Sequence, residues 1–120
     1  MQRMSIILGA VVLVALVKPA IAADAEHGKT LFVACAACHQ EQPDALGPSL
    51  KGVLGRRSGA LEDFRYSNPM KRANLVWDEA ALREYIADPQ AKVKGNRMPY
   101  DGLHDPKDVD DIIEYIKTYK

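Results

Sequence analysis

Residues 35–39 read Cys-Ala-Ala-Cys-His, and they hold both cysteines of a 120-residue chain. Two cysteines are too few for the disulfide framework of a small secreted domain, so their close spacing needs another explanation. Cys35 and Cys38 are three residues apart at the expected end of a helix, which places both thiols on one face. His39 follows at once and can present a ring nitrogen from the same side.

This spacing is the attachment signature of a c-type haem. The two thiols reach the two vinyl groups of the porphyrin and bind them as thioethers, and the histidine binds the iron. We therefore predict one haem c per chain, attached covalently through Cys35 and Cys38, with His39 as a metal ligand.

Two alternatives need no haem. A disulfide between Cys35 and Cys38 would make a thioredoxin-like redox pair, but that motif belongs to a βαβ unit, and the sequence has no alternating strand pattern. A zinc site would need a further ligand, for which His27 and His104 are available but lack zinc-finger spacing. We expect these two histidines to lie at the surface.

The first 22 residues have the features of a secretory signal peptide. Arg3 gives a positive start, and residues 20–22, Ala-Ile-Ala, match a small-x-small cleavage site. The apolar run between them spans about 12 residues, whereas a membrane-spanning helix needs about 20, so cleavage is favoured over a retained anchor. We predict a signal peptide over residues 1–22, a single domain over residues 23–120 and export to the periplasm.

The charges balance overall and separate along the chain. Sixteen Lys and Arg residues match sixteen Asp and Glu residues, which does not favour nucleic-acid binding. Without residues 1–22 the formal charge is −2, with +4 in residues 51–72 and −5 in residues 101–114. This separation would orient the protein at a charged partner, unless the acids only form the solvated face of a helix.

Capping signals and apolar spacing predict a mostly helical domain. Four helices are expected. The first runs over residues 25–35 with Asp24 as its N-cap, and the second runs as far as Asn74 with Asn68 as its N-cap and Pro69 as its first helical residue. The third is capped by Asp78 and stops at Asp88-Pro89, and the last opens at Asp105-Pro106. Long loops are expected over residues 39–65 and 90–104. The predicted fold is all-α, with three to five helices and long loops wrapped around one covalently bound haem.

Iron that is bound by His39 needs a sixth ligand or keeps an open site. Outside the signal peptide the chain has two methionines, Met70 and Met98. Met98 lies in an irregular stretch that can cross the second haem face, whereas Met70 lies in a short helix and suits core packing. With Met98 on the iron the chemistry is one-electron transfer without catalysis. An open site would instead indicate a haem peroxidase or a gas-binding protein.

The sequence resembles the class I c-type cytochromes, close to their mitochondrial-type branch, over nearly all of residues 23–120. The shared features occur in the order of the family: Gly28 and Phe32, the residues 35–39, Gly47-Pro48-Ser49-Leu50, Gly55-Arg56, Phe64-Arg65-Tyr66-Ser67, Trp77, Leu82, Tyr85, Pro89, Met98 and the last helix.

The resemblance implies further roles around the haem. Pro48 would accept a hydrogen bond from the ring N–H of His39, and Tyr85 would place its hydroxyl group near the sulfur of Met98. A buried haem propionate would be held by three side chains, Arg56, Tyr66 and Trp77. Gly28 and Phe32 would cross the last helix near Ile112 and Tyr115.

The resemblance also implies the function. The cytochrome c fold with a His/Met-ligated haem would serve as a soluble periplasmic electron carrier, not as an enzyme. Its partners would be redox proteins of a respiratory or related chain: a membrane complex, an oxidase or a periplasmic dehydrogenase. The carrier would act as a monomer, with no membrane anchor after cleavage and no nucleic-acid partner.

Overall fold

The computed structural model describes residues 9–17 and 21–120. This part of the chain contains five helices: α1 (Ala25–Ala36), α2 (Asn68–Arg72), α3 (Glu79–Ala87), α4 (Pro89–Lys92) and α5 (Pro106–Ile116). Its one β-type feature is an isolated antiparallel bridge between Arg57 and Val76. The prediction of a helical domain with long loops is confirmed.

The three longer helices begin at the predicted caps. Asp24, Asp78 and Asp105 accept hydrogen bonds from backbone amides in the first turns of α1, α3 and α5. Such caps satisfy amides that have no partner within the helix, and they fix where each helix starts.

Two details of the shorter helices differ from the prediction. The N-cap of α2 is Ser67, whose hydroxyl oxygen accepts from the Met70 amide, so Asn68 is already helical. The helix α4 occupies part of the predicted loop 90–104, because Asp88 ends α3 and also caps α4 by accepting from the Ala91 amide at 3.1 Å. One Asp-Pro pair therefore stops one helix and starts the next.

The helices α1 and α5 cross at very close range. A Cβ atom at Gly28 would lie 1.9 Å from the backbone oxygen of Asp111, so only glycine fits there. One turn further along α1, the Phe32 ring lies 5.0 Å from the ring of Tyr115. The expected crossing is present, with Asp111 rather than Ile112 at the closest point.

The buried core follows the apolar face of α5. Val109, Ile112, Ile113 and Ile116 are each at most 5% exposed, and their spacing places them on one side of the helix. Phe32 from α1 and Leu82 from α3 belong to the same core, together with Val53, Trp77, Ala81 and Val93.

Residues 9–17 have no regular secondary structure and are exposed; the Leu13 side chain, for example, is 90% exposed. No helix in residues 9–17 or 21–120 combines the length and apolar character that a membrane crossing requires. The signal-peptide prediction rests partly on residues 1–8 and 18–20, including Arg3, and these lie outside the described ranges.

A buried acid joins the starts of α1 and α5. The side chain of Asp111 is 1% exposed, and it accepts hydrogen bonds from the Asp24 amide at 2.8 Å, from His27 Nδ1 at 2.8 Å and from Lys107 Nζ at 3.0 Å. The Asp24 amide and the two side chains together lower the pKa of Asp111 to about 2. The alternative that the acids of residues 101–114 only form the solvated face of a helix is therefore wrong for Asp111.

This cluster predicts a pH-dependent contribution to stability. The hydrogen bond to Asp111, with Asp108 and Asp24 nearby, raises the pKa of His27 above its usual 6.5. Because the pKa of His27 is higher in the folded state than in the unfolded state, the protonated imidazole contributes its full stabilisation below pH 6.5. This contribution disappears as the pH rises through the folded-state pKa of His27. Asp111 stays ionised throughout this window.

We expect His27→Gln to lower the thermal unfolding midpoint most near pH 5.5 and progressively less towards pH 9. The control is His104→Gln, because His104 is the other exposed histidine. The role given to His27 would be contradicted if His27→Gln lowered the unfolding midpoint equally at every pH. It would also be contradicted if His104→Gln showed the same pH-dependent decrease.

Candidate functional site

The Cys-Ala-Ala-Cys-His stretch lies where α1 ends. The Cys38 and His39 amides both donate to the Cys35 carbonyl, at 3.2 and 3.0 Å, so the chain tightens into a turn directly after the helix. Both cysteines are free thiols and are partly buried. The structure thus presents two thiols and one imidazole within one helical turn.

These residues open onto a cavity of about 470 Å³. That volume lies within the range of roughly 300–1,000 Å³ that is usual for small-molecule and cofactor sites. Its wall is mainly apolar, with Leu50, Val53, Leu82 and Ile116 among the lining side chains. All the site residues predicted from sequence line it: Cys35, Cys38, His39, Pro48, Arg56, Tyr66, Trp77, Tyr85 and Met98.

The His39 imidazole is oriented by the following loop. Its Nδ1–H donates to the Pro48 carbonyl at 2.7 Å, so the lone pair of Nε2 stays free to bind a metal. A Cβ atom at Gly47 would lie 2.6 Å from this ring, so the loop backbone packs directly against it. Burial lowers the pKa of His39, with the Pro48 contact acting in the opposite direction. The arrangement therefore favours the neutral imidazole that binds metals.

Met98 brings a thioether to the same cavity. The hydroxyl group of Tyr85 donates to Met98 Sδ at 3.5 Å. Burial raises the pKa of Tyr85 to about 12, so this group is a neutral donor at physiological pH. The Tyr85 ring in turn packs against the Trp77 ring with centroids 5.0 Å apart.

The β-bridge places two further cavity residues side by side. The Trp77 amide donates to the Arg56 carbonyl at 2.8 Å, and the Arg56 guanidinium group donates to the carbonyls of Ser49, at 2.6 Å, and Lys51. The Tyr66 oxygen accepts from the Leu61 amide at 3.2 Å, which leaves its own proton for a ligand. This part of the wall offers a fixed positive charge and polar donors.

Two residues of this site have roles that the sequence does not indicate. Gly47 permits the close approach to His39, and Asn96 is a buried amide in the loop that leads to Met98. The Gly47-Pro48 pair was a visible turn signal, but a single polar residue in a loop gave no indication of burial. Met70, expected in the core, also lines the cavity.

The haem-free alternatives find no support in the geometry. The helices and loops of residues 9–17 and 21–120 contain no βαβ unit for a thioredoxin-like pair. The one His/Asp cluster with metal-ligand spacing in these residues is His27, Asp108 and Asp111, which excludes both cysteines. A large apolar cavity lined by free thiols and an imidazole fits a covalently bound porphyrin instead.

Comparison with known proteins agrees with this geometry. The family model "Cytochrome c" matches residues 25–120. Cytochrome c2 of Blastochloris viridis is 43% identical over 117 residues, covering 95% of this chain and 92% of that protein. Cytochrome c2 iso-2 of Magnetospirillum molischianum is 45% identical over 100 residues, covering 82% of this chain and all of that protein. The structure of cytochrome cH from Methylobacterium extorquens superposes with a TM-score of 0.75 at 44% identity, covering 79% and 98% of the two chains.

The chain therefore belongs to the cytochrome c family and has the cytochrome c fold. It carries a haem c that is attached covalently through Cys35 and Cys38, and it is an electron carrier. The prediction of a class I c-type cytochrome is confirmed.

Proposed function

We propose that His39 and Met98 are the two axial ligands of the haem iron. The observation that carries this proposal is that an oriented imidazole and a thioether held by Tyr85 line the same cavity as the two attachment cysteines. The bound haem supplies a one-electron ferric/ferrous couple. With both axial positions filled, the chain acts by electron transfer rather than by enzymatic catalysis.

The protein side chains set the properties of that couple. Hydrogen bonding to the Pro48 carbonyl fixes the tautomer of His39 and makes Nε2 a stronger donor. The Met98 thioether is soft and neutral, so on the iron it would favour the ferrous state and raise the potential. The apolar wall would limit the access of water to the iron, and that would stabilise the reduced, less charged form.

We propose that Arg56, Tyr66 and Trp77 hold a haem propionate. A buried carboxylate needs hydrogen-bond donors and a positive charge to offset its lost hydration. Arg56 supplies the charge from a guanidinium group that two backbone carbonyls already hold in place. Tyr66 and Trp77 supply an O–H and an indole N–H donor at the same cavity.

We further propose that residues 1–22 are a cleaved signal peptide and that residues 23–120 work as a monomer in the periplasm. The signal-peptide features of residues 1–22 support export, and the two relatives named above are bacterial c2 cytochromes. The charge separation between residues 51–72 and 101–114 supports docking to redox proteins, such as a membrane complex, an oxidase or a periplasmic dehydrogenase.

The test uses protein purified from the periplasm of a host with haem-attachment machinery. We expect an intact mass equal to residues 23–120 plus one haem, and a low-spin ferric spectrum with the weak red methionine-to-iron band. The Met70→Ala variant should keep that band. A high-spin ferric spectrum would favour a haem peroxidase or a gas-binding protein. Loss of the band in Met70→Ala would identify Met70, and not Met98, as the ligand.

A further inference from the structure

Asn96 is a buried side chain whose hydrogen bonds all serve the loop that carries Met98. It is 8% exposed, and its Nδ2 donates to the carbonyls of Pro89 at 3.0 Å and Val93 at 2.9 Å. Its Oδ1 accepts from the Met98 amide at 2.9 Å. One amide side chain therefore ties the backbone of Met98 to Pro89 at the start of α4 and to Val93, the residue that follows its end.

The loop has a second brace, which acts on the backbone of residues 95 and 96. The side chain of Gln90 donates to the Asn96 carbonyl at 2.9 Å and accepts from the Gly95 amide at 3.0 Å. These contacts hold the start of the loop, but none of them reaches Met98. The Met98 carbonyl accepts from the Tyr100 amide at 2.9 Å, whereas the Met98 amide donates to the side chain of Asn96.

We propose that Asn96 is a positioning residue for Met98, an inference that rests on the proposed axial role of Met98. The oxygen of Asn96 accepts from the amide two residues further on, and this Asx turn fixes the direction in which the Met98 side chain leaves the backbone. A neutral thioether competes with other ligands for iron, so its hold depends on how well the protein keeps it in place. A rigid anchor at Asn96 lowers the entropic cost of ligation.

The position of Asn96 within the cavity supports this role. It lines the cavity together with Tyr85 and Met98, so it lies at the site itself. Tyr85 restrains the sulfur of Met98, and Asn96 restrains its backbone. The two contacts act on opposite ends of the same residue, and both are partly buried. Because the Asn96 side chain itself is buried, leaving its hydrogen bonds unmade is costly.

The experiment measures imidazole binding to the ferric holoprotein, because imidazole binds only when Met98 leaves the iron. Asn96→Ala should raise imidazole affinity about tenfold, the factor that one ordinary lost hydrogen bond supports. Asn96→Ser keeps a hydroxyl acceptor for the Met98 amide and should restore part of the difference. Gln90→Ala removes two hydrogen bonds from the same loop but spares Met98, and it should stay within about twofold of wild type.

Each outcome decides the proposal. If Asn96→Ala binds imidazole like wild type, or if Gln90→Ala rises as much as Asn96→Ala, Asn96 has only a structural role. If Asn96→Ala gives no folded holoprotein, the same comparison is made between Asn96→Ser and Gln90→Ala. Met98→Ala separates the two hypotheses: if it leaves imidazole affinity unchanged, the axial role of Met98 fails, and the positioning role fails with it.

Discussion

Replacing Met98 with alanine is expected to lower the midpoint potential of the haem by on the order of 0.2 V, within the roughly 0.8 V span that axial ligands cover. The thioether stabilises ferrous iron because it is soft and uncharged, and water or hydroxide in its place favours the ferric state. The same change opens the iron, so exogenous ligands should bind rapidly. A spectroscopic redox titration of the purified holoprotein measures the shift.

Met70→Ala is the matched control for this prediction. Met70 lines the same cavity and is the other methionine of residues 23–120, but no hydrogen bond to its sulfur is present in the described part of the chain. We expect its potential to stay much closer to that of wild type. An unchanged potential in Met98→Ala, or a larger fall in Met70→Ala, would show that Met98 is not the ligand.

Substituting Gly28 with valine is expected to destabilise the holoprotein by at least about 3 kcal/mol, the upper end of ordinary overpacking. The obstacle is the Asp111 backbone, 1.9 Å from the position that a Cβ atom would take, and a helix backbone cannot rotate aside as a side chain can. The helices α1 and α5 would have to separate, which would expose Phe32 and Ile112. Denaturant unfolding measures the loss.

Ala34→Val provides the comparison, because it introduces the same β-branched side chain at an exposed position of α1. We expect it to cost well under 1 kcal/mol, the usual scale of surface substitutions and helix propensity. Similar losses in both variants would mean that the close helix crossing is not what Gly28 provides.

The sequence indicated the features that depend on local chemistry. Asp24, Asp78 and Asp105 are caps because a carboxylate beside free amides stabilises a helix start wherever it occurs. The apolar face of α5 was visible because helical spacing is a property of the chain itself. The haem motif could be recognised because its three functional groups lie within five residues.

Features that depend on tertiary packing could not be predicted in this way. Asp111 is one of six acids in residues 101–114, and nothing local distinguishes this buried acid from the five that are exposed or only partly buried. Asn96 gains its importance from carbonyls that only the short helix α4 brings together. That helix was itself missed, because the Asp88-Pro89 pair reads equally well as a stop and as a start.

The resemblance to the class I c-type cytochromes indicates some contacts that local sequence patterns do not. No local pattern indicates the partner of Pro48 or of Tyr85, yet their contacts with His39 and Met98 are present at 2.7 and 3.5 Å. The Arg56 side chain lies in the cavity wall but also donates to backbone carbonyls of residues 49 and 51, an anchoring that the family pattern did not indicate.

The most direct test of a closed, His/Met-ligated electron carrier is carbon monoxide binding to the ferrous wild-type protein at neutral pH. If His39 and Met98 fill both axial positions, the absorption spectrum should stay unchanged for minutes under excess carbon monoxide, while Met98→Ala responds at once. Rapid formation of a carbon monoxide complex by the wild type would contradict the account, because it would show an open sixth position at the iron.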